Sequence, residues 1–333
     1  MSHKTTWSLS AVAAVTACLF AVGPGPAVAH PPADRPSFTS ISLPTPGAVK
    51  TAFGSVWVAN GPARTVTRLD PRTNAVIARI PTPDPASVIG VGAGAIWLTS
   101  FPGNSLTRID PGRDRVTRTI SLAPGGAGPI GVTVARGFVW VANHDGEPTT
   151  SVSKIDPATM RVVDVIPVGA EDFAGPAWIL YAAGSIWTNV NSIPNVLVRI
   201  DPRTDRILAA IPAPSACTQL AADDTAVWGA SGDDPSCPPG VSRIDPRTNM
   251  VVRTFHEGGA ADAVALYQGS LWYGTTTTHK LGRIDTRTNR VISLEELPGP
   301  AFNMTAGLGA IWTTDRDDGI LFKIRTHAPR HSE

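Results

Sequence analysis

Three short segments of the chain carry the side chains best suited to chemistry. They are His144, Asp145 and Glu147; His256 and Glu257; and Asp315, Asp317 and Asp318. A histidine beside a carboxylate can exchange protons with a substrate. Carboxylate oxygens that converge can bind magnesium or calcium, so a divalent cation is the cofactor that these residues suggest. Each segment also fits a solvated loop, because spacing along the chain does not show that side chains converge.

The elements that would position these segments follow from a regular spacing of tryptophan. The series is Trp57, Trp97, Trp140, Trp187, Trp228, Trp272 and Trp312, with gaps of 40, 43, 47, 41, 44 and 40 residues. Four-stranded propeller blades repeat at this interval. Around each tryptophan the sequence reads as short β-branched strands bounded by turn residues. We therefore predict an all-β chain, a seven-bladed β-propeller with four antiparallel strands in each blade.

The repeated string "DPRT" is the predicted turn between the third and fourth strands of a blade. Proline fixes φ early in the turn, aspartate accepts backbone N–H groups, and a later Asn or Asp tolerates the left-handed region. The expected turn aspartates are Asp70, Asp110, Asp156, Asp201, Asp245 and Asp285. The basic residues before them are expected to pack their stems at a blade edge: Arg68, Arg108, Lys154, Arg199, Arg243 and Arg283.

The two ends of the chain predict how the ring closes. The seventh repeat stops after its third strand near Thr326, whereas Phe38 to Pro44 reads as a fourth strand without the three before it. Pairing of these two strands would remove an open sheet edge. The predicted organisation is a signal peptide at 1–29, a linker at 30–37, the propeller at 38–326 and a tail at 327–333.

An export signal is expected at the N-terminus. Lys4 precedes an apolar run from Leu9 to Val22, and small residues precede a cleavage site after Ala29. The run is shorter than the roughly 18 residues of a membrane span, so no transmembrane segment is predicted. The alternative is a lipoprotein signal that would leave a lipid anchor at Cys18. Both signals predict an extracellular or cell-envelope location.

The charge balance argues against nucleic acid as a partner, and the cysteine content predicts a disulfide. The chain has 28 Lys and Arg against 27 Asp and Glu, a balance that does not attract nucleic acid. Cys217 and Cys237 remain once Cys18 leaves with the leader, and an even pair in an exported chain predicts a disulfide. The propeller would place both cysteines in the two loops of blade five, on one face.

The first strand of each blade should line a central channel. An apolar residue stands eight positions before each tryptophan and should face the core: Val49, Ile89, Val132, Ile179, Leu220, Val264 and Met304. Its neighbours should face the channel by strand alternation. Most are small or apolar, and the polar members are Lys50, Gln219 and Asn303. Trp178 is exceptional in size and is either a channel plug or a stacking platform for a ligand.

One face of the disc, the loop face, collects the loops that enter the first strands and those that join the second strands to the third. Variable loops on a rigid scaffold are where binding usually resides. The residues predicted to bind a ligand are Lys50, Asn143, His144, Asp145, Trp178, Gln219, Asn303 and Asp315. The candidates for catalysis are His144, Glu147, His256 and Glu257, and the candidates for metal binding are Asp315, Asp317 and Asp318.

The string "VWVAN" followed by "TVTRLDPRTNAVIARIP" resembles the YVTN-type β-propeller repeat of bacterial exported proteins. It is more distantly similar to the virginiamycin B (streptogramin) lyase propellers, and the resemblance covers Phe38 to Thr326. The lyase similarity implies a Glu three residues after a blade tryptophan, a His that opens the inner strand, and a magnesium ion nearby. Here that position after the tryptophan holds Asn60, Ser100, Asn143, Val190, Ser231, Thr275 or Asp315, and none is Glu.

The sequence favours an exported, monomeric propeller that binds a small molecule or a protein through the loop face, without chemistry of its own. The enzyme alternative is a metal-assisted carbon–oxygen lyase of the streptogramin type. The third hypothesis is a structural scaffold of the cell envelope.

Overall fold

Short β-branched segments separated by tight turns form 28 strands, and no helix, among the residues that the structure describes. The structure is a computed structural model, and it describes residues 35–122, 128–144, 150–169, 175–192 and 194–326. The strands form seven antiparallel sheets of four strands each. The chain is therefore a seven-bladed β-propeller, as predicted.

The strands of the first four blades follow one another in chain order. Blade one contains β2 (Pro46–Ala52), β3 (Ser55–Asn60), β4 (Thr65–Leu69) and β5 (Val76–Pro81). Blade two contains β6 (Val88–Gly92), β7 (Ala95–Ser100), β8 (Ser105–Asp110) and β9 (Arg115–Ser121). Blade three contains β10 (Pro129–Ala135), β11 (Phe138–Asn143), β12 (Ser151–Asp156) and β13 (Arg161–Pro167). Blade four contains β14 (Pro176–Ala182), β15 (Ser185–Val190), β16 (Val196–Asp201) and β17 (Arg206–Pro212).

The last three blades complete the ring. Blade five contains β18 (Leu220–Ala222), β19 (Val227–Ala230), β20 (Val241–Asp245) and β21 (Met250–Phe255). Blade six contains β22 (Ala261–Tyr267), β23 (Ser270–Thr275), β24 (Lys280–Asp285) and β25 (Arg290–Glu296). Blade seven contains β26 (Asn303–Gly307), β27 (Ala310–Asp315), β28 (Ile320–Arg325) and, as its outer strand, β1 (Ser37–Ser42).

Closure joins the N-terminal strand to the last blade. β1 pairs antiparallel with β28, which puts Phe38 opposite Ile324 and Ile41 opposite Leu321. The first strand of each blade contacts the first strand of the next, from β2 round to β26 and back to β2. The predicted closure is confirmed, and the first strands enclose the central channel.

The core lies between adjacent blades and is built around the repeat tryptophans. All seven are at most 3% exposed. In five blades the indole N–H donates to the carbonyl oxygen five residues earlier, as Trp57 does to Ala52 at 3.0 Å. The apolar row eight positions before the tryptophans is buried, as predicted.

The "DPRT" aspartates cap their own turns. Asp70 Oδ1 accepts the N–H of Arg72 at 2.7 Å, and the other five repeat this bond. Backbone N–H groups, and for Asp110 the Arg113 side chain first, hold the pKa of these six carboxyls below the usual range. Four residues later the backbone takes a positive φ, as at Asn74 (63°). These aspartates are turn residues, as the sequence predicted.

The basic residue before each turn does more than pack its stem. Its charged group lies 5.0 to 6.0 Å from the ring centroid of the tryptophan in its own blade. In several blades it also reaches the turn of the following blade: Lys154 Nζ lies 2.8 Å from Asp205 Oδ1. Arg199 Nη1 donates to Asn249 Oδ1 at 2.9 Å. The repeated basic residue therefore links neighbouring blades.

Candidate ligand-binding face

A cavity of about 820 Å³ opens on the loop face, between the starts of several first strands and the loops of blades seven, one and two. We call it the loop-face cavity. Its wall is mostly Gly, Ala, Pro, Val and Ile, with three aromatic side chains, Phe101, Trp178 and Phe302. Its strongest hydrogen-bonding groups belong to Asn303 and Arg316. Size and lining are those of a site for a small organic ligand.

Hydrogen bonds between adjacent blades hold this wall in place. Thr99 Oγ1, two residues after its blade tryptophan, donates to the carbonyl oxygen of Ile130 in the next blade at 2.5 Å. Thr314 Oγ1 occupies the same position in blade seven and donates to Gly47 of blade one at 2.6 Å. Because Ile130 and Gly47 both line the cavity, these bonds make the wall a fixed part of the ring.

Trp178 is positioned by its own backbone on β14. Its N–H donates to Asn189 Oδ1 at 2.7 Å, and its carbonyl oxygen accepts the hydroxyl of Thr188 at 2.7 Å. The side chain is half-buried and lines both the loop-face cavity and a second cavity in the channel. It can therefore present an aromatic surface to a ligand from either side.

Phe101 and Phe302 are held in the same way at the rim. The N–H of Phe101 donates to Ser87 Oγ at 3.0 Å, and the N–H of Phe302 donates to the carbonyl oxygen of Thr314 at 2.9 Å. The Arg316 guanidinium lies 4.5 Å from the centroid of the Phe302 ring. The rim thus combines aromatic surface with one positive charge.

Asn303 places an unpaired donor in this wall. The residue is 4% exposed, and its Oδ1 accepts the N–H of Val49 at 2.8 Å. That bond fixes the orientation of the amide, which leaves Nδ2 without a partner. Thr45 Oγ1 in the same wall is also unpaired. A buried unpaired polar group costs about 1 to 3 kcal/mol, and a ligand acceptor that reached Asn303 Nδ2 through a small shift of the wall would recover that free energy.

The channel cavity is the second space, with a volume of about 230 Å³. Gln219 and Lys50 both line it. Gln219 Oε1 accepts the N–H groups of Met304 and Val264 at 3.0 and 3.3 Å, and its Nε2 donates to the Met304 carbonyl at 2.6 Å. The amide of Gln219 is therefore used to join the inner strands of blades five, six and seven. Burial lowers the pKa of Lys50.

Of the blade-three candidates, the two that the structure describes, Asn143 and His144, do not line the loop-face cavity. Asn143 is fully buried, and its Nδ2 donates to two serine hydroxyls of β12 at 2.8 and 3.2 Å. It therefore ties β11 to β12. His144 is half-buried and meets the Phe101 ring edge-on, with 6.3 Å between centroids. Asp145 and Glu147 lie outside the described residues.

The remaining candidates for catalysis and metal binding are spread over two blades. His256 and Glu257 are exposed, and His256 Nδ1 lies 2.7 Å from a proline carbonyl oxygen. Asp315 is fully buried; its Oδ1 accepts the N–H groups of Asp317 and Asp318 at 3.2 and 3.1 Å. Burial raises the pKa of Asp315. Within the described ranges, no three His, Cys, Asp or Glu side chains come close enough to hold a metal ion.

The predicted disulfide is confirmed. Cys217 and Cys237 are bonded, with 6.5 Å between their Cα atoms. Cys217 precedes β18 and Cys237 follows β19, so the bond joins two loops of blade five on the loop face.

Sequence reasoning missed most of the loop-face cavity because it followed the long loops. The cavity is bounded by short loops, Gly61–Pro62 in blade one and Phe101–Pro102 in blade two, and by Phe302 and Arg316 of blade seven. The lengths of the loops could have indicated this cavity, because short loops beside long ones leave a depression in the face of the disc.

A pair of carboxylates between blades five and six was also missed. The hydroxyl of Thr276 contacts both Asp233 Oδ2 and Asp262 Oδ2. Burial, opposed by the Thr276 hydrogen bond and reinforced by the nearby Asp233 charge, raises the pKa of Asp262 to about 6. One hydroxyl has one proton to donate, so a protonated Asp262 completes this arrangement better than an ionised one.

Comparison with known proteins defines the class of fold. No protein-family model and no curated protein matches the chain. The solved structure of Kuenenia stuttgartiensis hydrazine synthase is similar, with a TM-score of 0.72 and 14% sequence identity over 87% of this chain and 97% of that chain. At that identity the likeness shows the fold alone, a seven-bladed β-propeller. None of the described segments forms a helix long and apolar enough to cross a membrane.

Proposed function

We propose that this chain is an exported β-propeller, similar to the YVTN-repeat proteins, that binds a small organic ligand in the loop-face cavity without catalysing a reaction. The observation that carries the proposal is Asn303 Nδ2, a buried amide donor without a partner in the wall of a largely apolar cavity. Native proteins rarely leave such a group unpaired. A bound acceptor would give it the partner that the protein itself does not supply.

The lining suggests the chemistry of the ligand. Phe101, Trp178 and Phe302 favour a planar, apolar body, because aromatic rings contribute a large contact area in such sites. Asn303 Nδ2 favours an acceptor oxygen, and the Arg316 guanidinium favours a negative charge near the rim. An aromatic acid fits this combination.

Two features support export. The Cys217–Cys237 disulfide is of a kind that persists in oxidising compartments outside the cytosol. The N-terminal segment with Lys4 and the apolar run from Leu9 to Val22 reads as an export signal and lies outside the described residues.

A fluorescent aromatic acid tests the binding site. 8-Anilinonaphthalene-1-sulfonate should bind the folded protein with one strong site. The Asn303→Asp variant keeps an acceptor for the N–H of Val49 but replaces the free donor by a negative charge. It should weaken binding by about 10-fold or more, which is about 1.4 kcal/mol.

Trp178→Leu should also weaken binding of this probe, because it removes aromatic surface from the cavity wall. The matched control is Arg247→Gln, since Arg247 is 88% exposed and lies in a turn on the opposite face. Equal affinity in all three variants would refute the assignment of the loop-face cavity.

A further inference from the structure

The central channel contains a second site whose chemistry differs from that of the loop-face cavity. The channel cavity, of about 230 Å³, is lined by backbone and aliphatic groups of the first strands of blades two to four, by Trp178 and by Lys50. Lys50 is the one titratable side chain among the described residues that line it. Lys50 therefore borders a small space with room for a molecule of several non-hydrogen atoms.

Lys50 differs from the other lysines of the described chain. Lys154 pairs with Asp205 at 2.8 Å, and Lys280 pairs with Glu296. Lys323 donates to a proline carbonyl and to an asparagine side chain. Lys50 has neither a carboxylate nor a hydrogen-bond partner in the part of the chain that the structure describes. No negative charge within this region compensates its ammonium form.

The neighbouring polar groups of the channel are already engaged. The side-chain oxygen and nitrogen of Gln219 are both hydrogen-bonded to the backbone, the oxygen to Met304 and Val264 and the nitrogen to Met304. Thr51 Oγ1 donates to the Ala306 carbonyl at 3.1 Å. These bonds join the inner strands to one another. Neither Gln219 nor Thr51 forms a hydrogen bond with the Lys50 amine.

Lys50 is half-buried, and an ammonium group that is partly removed from water without a partner is costly, so a larger share of the amine is neutral at a given pH than for an exposed lysine. Burial accordingly lowers the pKa of Lys50. A neutral lysine amine carries a free electron pair and is a nucleophile toward carbonyl carbon, whereas the ammonium form is not. The cavity excludes large molecules, so the carbonyl compound must be small.

We propose that Lys50 is a covalent attachment site for small aldehydes that enter the channel. The Nζ electron pair forms a bond to the aldehyde carbon, and a proton moves from nitrogen to the carbonyl oxygen to give a carbinolamine. Loss of that oxygen as water, with the second amine hydrogen, leaves an imine between Lys50 and the former aldehyde. The step is a reversible condensation and needs no oxidant or reductant. It does not depend on the loop-face cavity having a ligand.

Trapping the imine tests the proposal. The full mature chain is incubated with propanal and sodium cyanoborohydride at pH 7, which converts each imine to a stable propylamine, and the labelled positions are located by peptide mass mapping. Lys50 should be labelled at least ~10-fold faster than Lys154, Lys280 and Lys323, because each of those three amines is held by a hydrogen-bond or ion-pair partner, whereas Lys50 is not. The α-amino group also has an ordinary pKa near 8 and is followed as a separate peptide.

Two variants and a pH series complete the test. Lys50→Met should lose the fast label, whereas Lys280→Met should keep it, with circular dichroism as the check on folding. The rate of Lys50 labelling should reach half its maximum at a pH below the ordinary lysine value, because burial lowers the pKa of Lys50. The proposal is overturned if Lys50 is unlabelled in the folded protein, if it reacts only after denaturation, or if it reacts no faster than Lys280.

Discussion

Replacement of Arg199 by methionine should destabilise the propeller by about 3 kcal/mol. The guanidinium of Arg199 donates to the Pro246 carbonyl at 2.5 Å and to Asn249 Oδ1 at 2.9 Å, and both acceptors belong to the turn of blade five. A hydrogen bond from a charged donor contributes about 1.5 to 3 kcal/mol, and the lower value applies because this contact lies near the surface. Two such bonds give about 3 kcal/mol. Methionine keeps the apolar stem against Trp187, but it also removes the bond from Arg199 Nε to Ser185 Oγ within blade four, at 2.9 Å, which adds to the loss from the two inter-blade bonds.

Urea unfolding, followed by tryptophan fluorescence, measures this loss as a fall in midpoint at constant slope. The matched control is Arg203→Met in the following turn. The side chain of Arg203 is 77% exposed, and its ion pair with Asp201 is weak, with 3.7 Å between Nη2 and Asp201 Oδ2. Its removal should therefore lower the free energy of unfolding by at most about 1 kcal/mol. Equal losses in the two variants would refute the conclusion that the repeated basic residue links neighbouring blades.

Three further predictions concern the disulfide, pH and catalysis. Joint replacement of Cys217 and Cys237 by serine should lower the free energy of unfolding by about 3 kcal/mol, from the entropy of the 20-residue loop, and a reductant should then have no further effect. The raised pKa of Asp262 means that the folded state binds an extra proton between the ordinary Asp value and about 6, so this group lowers stability as pH rises through that window. Asp262→Asn should remove that dependence and raise stability at pH 7 by about 1 to 2 kcal/mol, after allowance for partial exposure; calorimetry from pH 4 to 7 that shows the same slope in both proteins would contradict this. A streptogramin B depsipeptide should stay intact with and without magnesium, as followed by chromatography and mass spectrometry, and a magnesium-dependent product of unchanged mass would establish the lyase alternative.

The fold could be predicted from the sequence because its signals are local and repeated. Each of the seven blades carries a tryptophan in its second strand, and blades one to six carry an Asp-capped turn before the fourth, so repeated copies reinforce one assignment. Closure by β1 followed from counting strands at the two ends. The disulfide was predicted from an even pair of cysteines in an exported chain, and the propeller separately placed Cys217 and Cys237 in the two loops of one blade.

The candidate site was harder to predict because it depends on which loops meet in space. The loop-face cavity draws residues from blades one to four and seven, and Arg316 and Phe101 become neighbours of one space only when the ring closes. Gln219 and Asn143 were assigned to ligand binding from their positions. The structure instead shows their side-chain amides bonded to the protein. A polar residue in a strand gives no sequence signal that separates these two uses.

The side-chain amide of Asn303 gives the most direct test of ligand binding in the loop-face cavity. In protein labelled with ¹⁵N-asparagine, its NH₂ resonances can be assigned by their loss in the Asn303→Asp variant and then followed as 8-anilinonaphthalene-1-sulfonate is added. The proposed function predicts that these resonances shift in proportion to the bound fraction, because Nδ2 gains an acceptor. Saturation of the protein by the probe with the Asn303 resonances unmoved would contradict it.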